Sequence, residues 1–190
     1  MRDFVNASDR DVLTMSAQKV AEGIKRTTTW YIERYESRRD WKDKATYELD
    51  EAMELFGAPQ FTVINGNLLL NGGITNMLNL MTQSTGTKWD NAGAYFGVGD
   101  SSVAEVATQT TLQAATNKLF KVMDSTYPQV SAQTATFQST FQSAEANFGW
   151  NEFGIANGSG GTTLLNRKVS PQGTKLAGQI WTGIQTVTFS

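Results

Sequence analysis

Glu145 and Glu152 are residues whose type and spacing could do chemistry. Two carboxyl groups flanking a short connection suit glycoside hydrolysis, in which one gives a proton to the leaving oxygen and the other acts as nucleophile or base. Glu152, set between Trp150 and Phe153, also has a structural reading: it would satisfy backbone groups at a bulge near Asn151-Glu152. Gly97-Val98-Gly99-Asp100 is glycine-rich but has neither a Walker lysine nor a third glycine, so it reads as a tight turn rather than a phosphate cradle. Asp100 and Asp124, with nearby carbonyls, are oxygen donors of the kind Ca²⁺ takes, yet no DxDxDG loop holds them. The chain has no Cys and no His. Serine–histidine triads, HExxH zinc sites, thiolate metal sites and disulfides are therefore excluded within it. No catalytic residue, cofactor or metal ligand is assigned, and the chain is read as a non-enzyme.

The elements that carry these residues follow from charge and periodicity. The 190 residues have a formal net charge of −2, which sets up no strong field for nucleic acid or an anionic membrane. Charge is unevenly placed: residues 1–56 hold 22 of the 34 charged side chains, and residues 57–190 are rich in Thr, Gly, Asn, Gln and Ser. The break falls at Phe56-Gly57-Ala58-Pro59, where Gly ends a helix and Pro prevents its continuation. Two segments are predicted, a charged helical arm over 1–57 and a β-rich body over 58–190. Met1-Arg2-Asp3-Phe4-Val5 opens with mixed charge and no apolar run of signal length, and Leu68-Leu69-Leu70 is too short to span a bilayer. The chain thus reads as soluble or as part of a soluble assembly. Asn6-Ala7-Ser8 and Asn157-Gly158-Ser159 match glycosylation sequons, which carry little weight without secretion.

Within the arm, Leu13, Ala17, Val20, Ile24, Thr28, Tyr31 and Tyr35 recur at spacings of three or four, the stripe of an α-helix. A second stripe follows at Ala45, Leu49, Ala52, Met53 and Phe56. Thr27-Thr28-Thr29 is a weak point, because Thr is stiff at χ1. A helix this long must pack on the body, fold as an αα-hairpin, or lie on a neighbouring subunit. Trp30, Tyr31, Tyr35 and Trp41 are the candidate contact residues if it docks. Lys25, Arg26, Arg34, Arg38, Arg39, Lys42 and Lys44 are interleaved with acids, so nucleic acid is not expected as a partner. The five Trp residues read as core or subunit-interface anchors.

The body reads as strands. Ala92–Gly99 and Asn117–Met123 are candidates. Ala135, Phe137, Ser139 and Phe141 alternate with Thr136, Gln138 and Thr140 at strand period. Ser143–Asn147 would turn this strand into a hairpin with the stretch from Phe148 to Ile155. Further strands are expected from Leu164 to Val169 and from Gln179 to Phe189, the last β-branched and aromatic. A short helix is predicted over Gly73–Met81, with Ile74, Met77, Leu78 and Met81 on one side. The fold class is α+β: an N-terminal amphipathic helical arm followed by an antiparallel β-sandwich-like body.

Three stretches resemble a known family. Asn67-Leu68-Leu69-Leu70-Asn71-Gly72-Gly73-Ile74, Ala94-Tyr95-Phe96-Gly97-Val98-Gly99-Asp100 with Thr110-Thr111-Leu112, and Ala146–Ile155 followed by Thr163-Leu164-Leu165-Asn166-Arg167 and the Thr/Val-rich final strand resemble tailed-bacteriophage virion structural proteins. Head-decoration, collar and tail-fibre-associated proteins have related patterns. The resemblance covers roughly residues 65–190 and brings no active-site residues with it. It implies a structural protein of the virion, on the capsid or the tail. The expected role is a capsid decoration or cement protein, with the major capsid protein and copies of itself as partners and neither nucleic acid nor membrane. The alternatives are a neck, tail or fibre protein involved in attachment, and a glycan-processing enzyme built on Glu145 or Glu152. A homo-oligomer within the virion is expected.

Overall fold

Period-two alternation sets the architecture. Phe96 and Val98 point to one side of β4 (Ala94–Gly99), and Phe137, Ser139 and Phe141 point to one side of β7 (Thr134–Phe141); all five are buried. These two buried faces meet. The computed structural model, which describes residues 25–36, 60–83, 85–161 and 163–190, stacks two five-stranded antiparallel sheets on each other. The remaining strands are β1 (Arg26–Tyr35), β2 (Gln60–Asn65), β3 (Leu68–Leu69), β5 (Lys118–Val122), β6 (Gln129–Ser131), β8 (Glu152–Asn157), β9 (Thr163–Val169) and β10 (Ile180–Phe189). One sheet has the order β2-β1-β10-β7-β6 and the other β3-β9-β8-β4-β5. A single helix among the described residues, α1 (Asn71–Thr82), follows β3.

The β-sandwich-like body is thus present. Predicted strands at 92–99, 117–123, 135–141, 164–169 and 179–189 match β4, β5, β7, β9 and β10, and the predicted helix at 73–81 matches α1. The space between the sheets is filled by aromatic rings in edge-to-face contact. Trp30 lies 5.5 Å from Phe96, Phe96 lies 6.1 Å from Phe141, and Trp150 lies 4.8 Å from Phe141 and 4.9 Å from Trp181. Gly183 on β10 faces the Phe96 ring so closely that a Cβ there would come within 2.6 Å of it. Only glycine lets the two sheets approach at that point.

Two expectations are corrected. Residues 26–35, expected as part of a helical arm, form strand β1, paired with β2 on one side and β10 on the other. Thr27-Thr28-Thr29 and the buried pair Trp30 and Ile32, two residues apart, fit a pleated strand better than a helix. The three-and-four spacing of Thr28, Tyr31 and Tyr35 coincides with strand alternation only at some positions, and two neighbouring ladders decide the outcome. The rest of the proposed arm, 1–24 and 37–57, lies outside the described residues, as does Trp41. The second correction concerns the hairpin. β7 and β8 belong to opposite sheets, so 142–151 crosses from one sheet to the other. Trp150 explains the crossing: it is fully buried between the sheets, its indole N–H donating to the Ala146 carbonyl at 3.1 Å.

A long connection, residues 100–117, leaves β4 and lies across the outer face of the second sheet. Leu112 and Ala114 are buried there, and Leu112 joins Leu70, Ala156 and Leu164 in a second, smaller apolar cluster. The same strap holds the start of α1, whose Asn71 N–H donates to the Ala107 carbonyl at 2.8 Å. That bond uses one of the helix's otherwise unpaired first-turn donors.

Candidate functional site

Glu152 opens β8 on the outward face of the second sheet, and Arg167 lies diagonally across from it on β9. Both are fully buried. Arg167 Nε donates to Glu152 Oε2 at 2.7 Å and Nη2 approaches the same oxygen at 2.6 Å. The other guanidinium donors go to the strap: to the Val103 carbonyl at 2.8 Å, the Ala104 carbonyl at 3.3 Å and Gln109 Oε1 at 3.0 Å. The carboxylate is filled from the strap as well, by the Ala114 N–H at 2.7 Å and the Gln113 N–H at 3.0 Å. Gly99, opposite Glu152 on β4, makes room for it; a Cβ there would come within 2.6 Å of Oε1. The arrangement satisfies a buried ion pair with hydrogen bonds on every side, the condition under which burying two charges is tolerated. Glu152 thus binds backbone N–H groups, as one reading of the sequence had it, but those of the strap. The bulge itself falls at Ile155/Ala156, where β8 faces β9.

Glu145 sits in the crossover with a different set of partners. Lys121 Nζ donates to Oε1 at 2.5 Å and the Gln142 N–H to Oε2 at 2.8 Å. Burial alone would raise the Glu145 pKa, but the bonds from Lys121 and Gln142 and the charges of Lys121 and Lys175 outweigh it and hold it below the usual carboxylate value. Among the described residues Glu145 and Glu152 share no hydrogen-bond partner, and each is paired with its own cation, Lys121 for Glu145 and Arg167 for Glu152. Asp100 accepts from Asn117 Nδ2 at 2.8 Å, whereas Asp124 accepts from the Thr140 N–H at 3.0 Å and the Thr140 hydroxyl at 2.7 Å. Both fix local chain direction, and among the described residues no three acidic side chains gather as a metal site. Gly97 and Gly99 continue β4 rather than forming a tight turn.

Lys175 is fully buried, its ammonium donating to the Gln142 carbonyl and to Asn147 Oδ1, both at 2.9 Å. Burial pushes its pKa down to about 8, with the Glu145 charge pulling the other way. An unfolded lysine keeps its proton to about pH 10.4. Between the two values the unfolded chain binds more protons, so stability rises as pH increases through that window. Tyr35, whose phenol is pushed up by burial and by Glu33, opposes this only from about pH 10, where an unfolded tyrosine ionises. The denaturant midpoint is expected to be higher at about pH 9.5 than at about pH 7.5. Lys175→Met is expected to flatten that slope, and an unchanged slope in the variant contradicts the assignment.

The candidate contact residues separate. Trp30 is fully buried in the core, a correction to its expected place on a docking arm. Tyr35 is buried, its hydroxyl 2.9 Å from Glu33 Oε2. Tyr31 lies on the outer face of β1 and stacks on Phe61 of β2, ring centroids 5.8 Å apart. No family model, no curated protein and no solved structure matches this chain. Its surface is therefore read from its own side chains. Phe61 and Val63 are largely exposed on β2, and Ile74, Leu78 and Met81 are exposed on α1. Of the predicted helix stripe only Met77 packs against the core. No helix among the described residues is long and apolar enough to cross a membrane. Periodicity located the α1 stripe, but nothing in the sequence separated a stripe facing the core from one facing solvent. β2 leaves little trace in the sequence, because it is six residues long and lies between Gly57-Ala58-Pro59 and Gly66.

Proposed function

We propose that the chain is a structural virion protein that binds the capsid exterior and cements adjacent capsid subunits, with the major capsid protein and copies of itself as partners. The virion setting is inferred from the resemblance of residues 65–190 to tailed-bacteriophage structural proteins. The observation that carries a contact role is the exposed stripe Ile74, Leu78 and Met81 on α1, a helix with no charged side chain. Residues at these spacings form one continuous apolar band, and bands of this kind mark contact surfaces. Buried charged groups, by contrast, are used internally, Glu152 and Arg167 on the strap and Lys175 on the crossover. In the proposed mechanism the added interface raises the free energy of shell disassembly by mass action.

Copy number in purified particles, measured by quantitative mass spectrometry against the shell protein, tests this. Hundreds of copies per particle are expected, because closed symmetry repeats each site. About a dozen or fewer moves the protein to the neck, tail or fibres, and absence overturns the reading. Leu78→Asp combined with Met81→Asp, at positions 52% and 80% exposed, is expected to leave the fold intact. It should lower particle occupancy at least about tenfold, since two charges would be buried in an apolar contact.

A further inference from the structure

A two-sheet sandwich has four edge strands, and each must be blunted or paired. β5 carries Lys118 and Lys121, charges that discourage another strand. β3 is two residues long and runs directly into α1, and β6 is three residues long. β2 is different. Its six residues, Gln60-Phe61-Thr62-Val63-Ile64-Asn65, hold no charge and no Pro, and among the described residues no strand pairs on its far side. Phe61 and Val63 stand 58% and 48% exposed on the same face as Tyr31.

The ladder fixes which backbone groups are open. The Gly66 N–H donates to the Thr28 carbonyl at 2.8 Å. In an antiparallel pair this phase turns the backbone groups of Thr62, Ile64 and Gly66 toward β1 and those of Phe61, Val63 and Asn65 away from it. The open N–H and C=O groups thus belong to the residues whose side chains form the exposed apolar face. We infer that β2 pairs antiparallel with β2 of a second copy about a two-fold axis at Thr62, so that the first sheet runs on through both subunits. Phe61 of one copy then faces Val63 of the other, twice. Both strands keep their outer faces on the same side, and the open backbone groups meet in phase. A second copy suits this edge because the strand itself is neutral and the same patch serves both sides. The cation beside it, Arg34, donates to the Thr62 hydroxyl at 2.7 Å and is anchored on its own subunit by Gln172 Oε1 at 2.9 Å and by the Trp181 ring. The inference rests on the reading of the chain as an assembly component, but it concerns a different surface from α1.

The absence of cysteine makes a clean test. At the two-fold axis Thr62 faces its own copy in a non-hydrogen-bonded pair, where Cα atoms lie about 4.5 Å apart, within disulfide reach. In the full chain, Thr62→Cys is expected to form a disulfide-linked dimer under mild oxidation, whereas Val130→Cys on the exposed β6 edge is not. Sedimentation should show a dimer whose dissociation constant rises at least about tenfold in Phe61→Lys, with the circular dichroism of the folded chain preserved. A monomer at all concentrations, equal cross-linking at both cysteines, or an unchanged dimer in Phe61→Lys overturns the inference. A β2-linked dimer that is missing from particles leaves the inference standing and removes the virion role. Abundant protein on particles in which Thr62→Cys fails to cross-link does the reverse.

Discussion

Arg167→Met is expected to destabilise the protein by about 3–5 kcal/mol, because it leaves the Glu152 carboxylate buried without its cation. Val103, Ala104 and Gln109 lose their shared donor at the same time, so the strap is released along with the charge. Adding Glu152→Gln to Arg167→Met should recover part of the loss. The glutamine carbonyl can still accept from the Ala114 N–H, and no buried charge is left unpaired. Denaturant titration of the wild type, both single variants and the double variant gives the coupling as a double-mutant cycle. Hydrogen exchange at the Gln113 and Ala114 amides reports whether the strap has opened. A loss below about 1 kcal/mol in Arg167→Met sinks the idea that this pair holds the strap.

Trp30→Ala is expected to cost about 3–5 kcal/mol, the range for a large aromatic removed from a packed core. The indole touches Phe96 and Phe153 and has no exposed surface, so the neighbouring rings cannot close the gap without breaking the contact between the sheets. Trp30→Phe should cost far less. The Trp30 Nε1–H has no hydrogen-bond partner in the core, so the change loses volume and no bond. Thermal denaturation of the two variants distinguishes this from the docking role that the sequence suggested: a contact residue on an arm would change stability little in either variant.

Strands and helix were legible wherever one physical signal dominated. The Phe137, Ser139, Phe141 alternation has a single buried side, and β10 concentrates Val, Ile, Thr and Trp. β1 carries two competing patterns: Thr28, Tyr31 and Tyr35 fit a helical stripe, while Thr28, Trp30 and Ile32 fit a strand. A strand's choice between the two depends on partners far away in sequence, β2 and β10. The same holds for the hairpin. β7 and the stretch after it look like neighbours along the chain, and only the burial of Trp150 between the sheets separates them. Glu152 could be singled out as a carboxylate among aromatics in a neutral tract. Its partners could not: Arg167 is on the next strand, but a bulge at Ile155/Ala156 shifts the β8–β9 register, and the strap carbonyls of Val103 and Ala104 lie far away in sequence with no spacing rule to connect them.

The position of β10 has a consequence for synthesis. β1 pairs with β10 along its whole length, from Arg26 opposite Phe189 to Tyr35 opposite Ile180, and β10 also supplies the partner of β7. During translation Trp30 and Ile32 leave the ribosome long before the strand that completes their sheet. Until residues 180–189 emerge, the first sheet is split into two parts, β2 with β1 and β7 with β6, with no strand between them. Non-local pairing of this kind folds slowly and exposes apolar strands while it waits. The apolar faces of β1 and β7 therefore stay without their shared partner for most of synthesis, and a ribosome stalled before residue 180 holds a product whose first sheet cannot close.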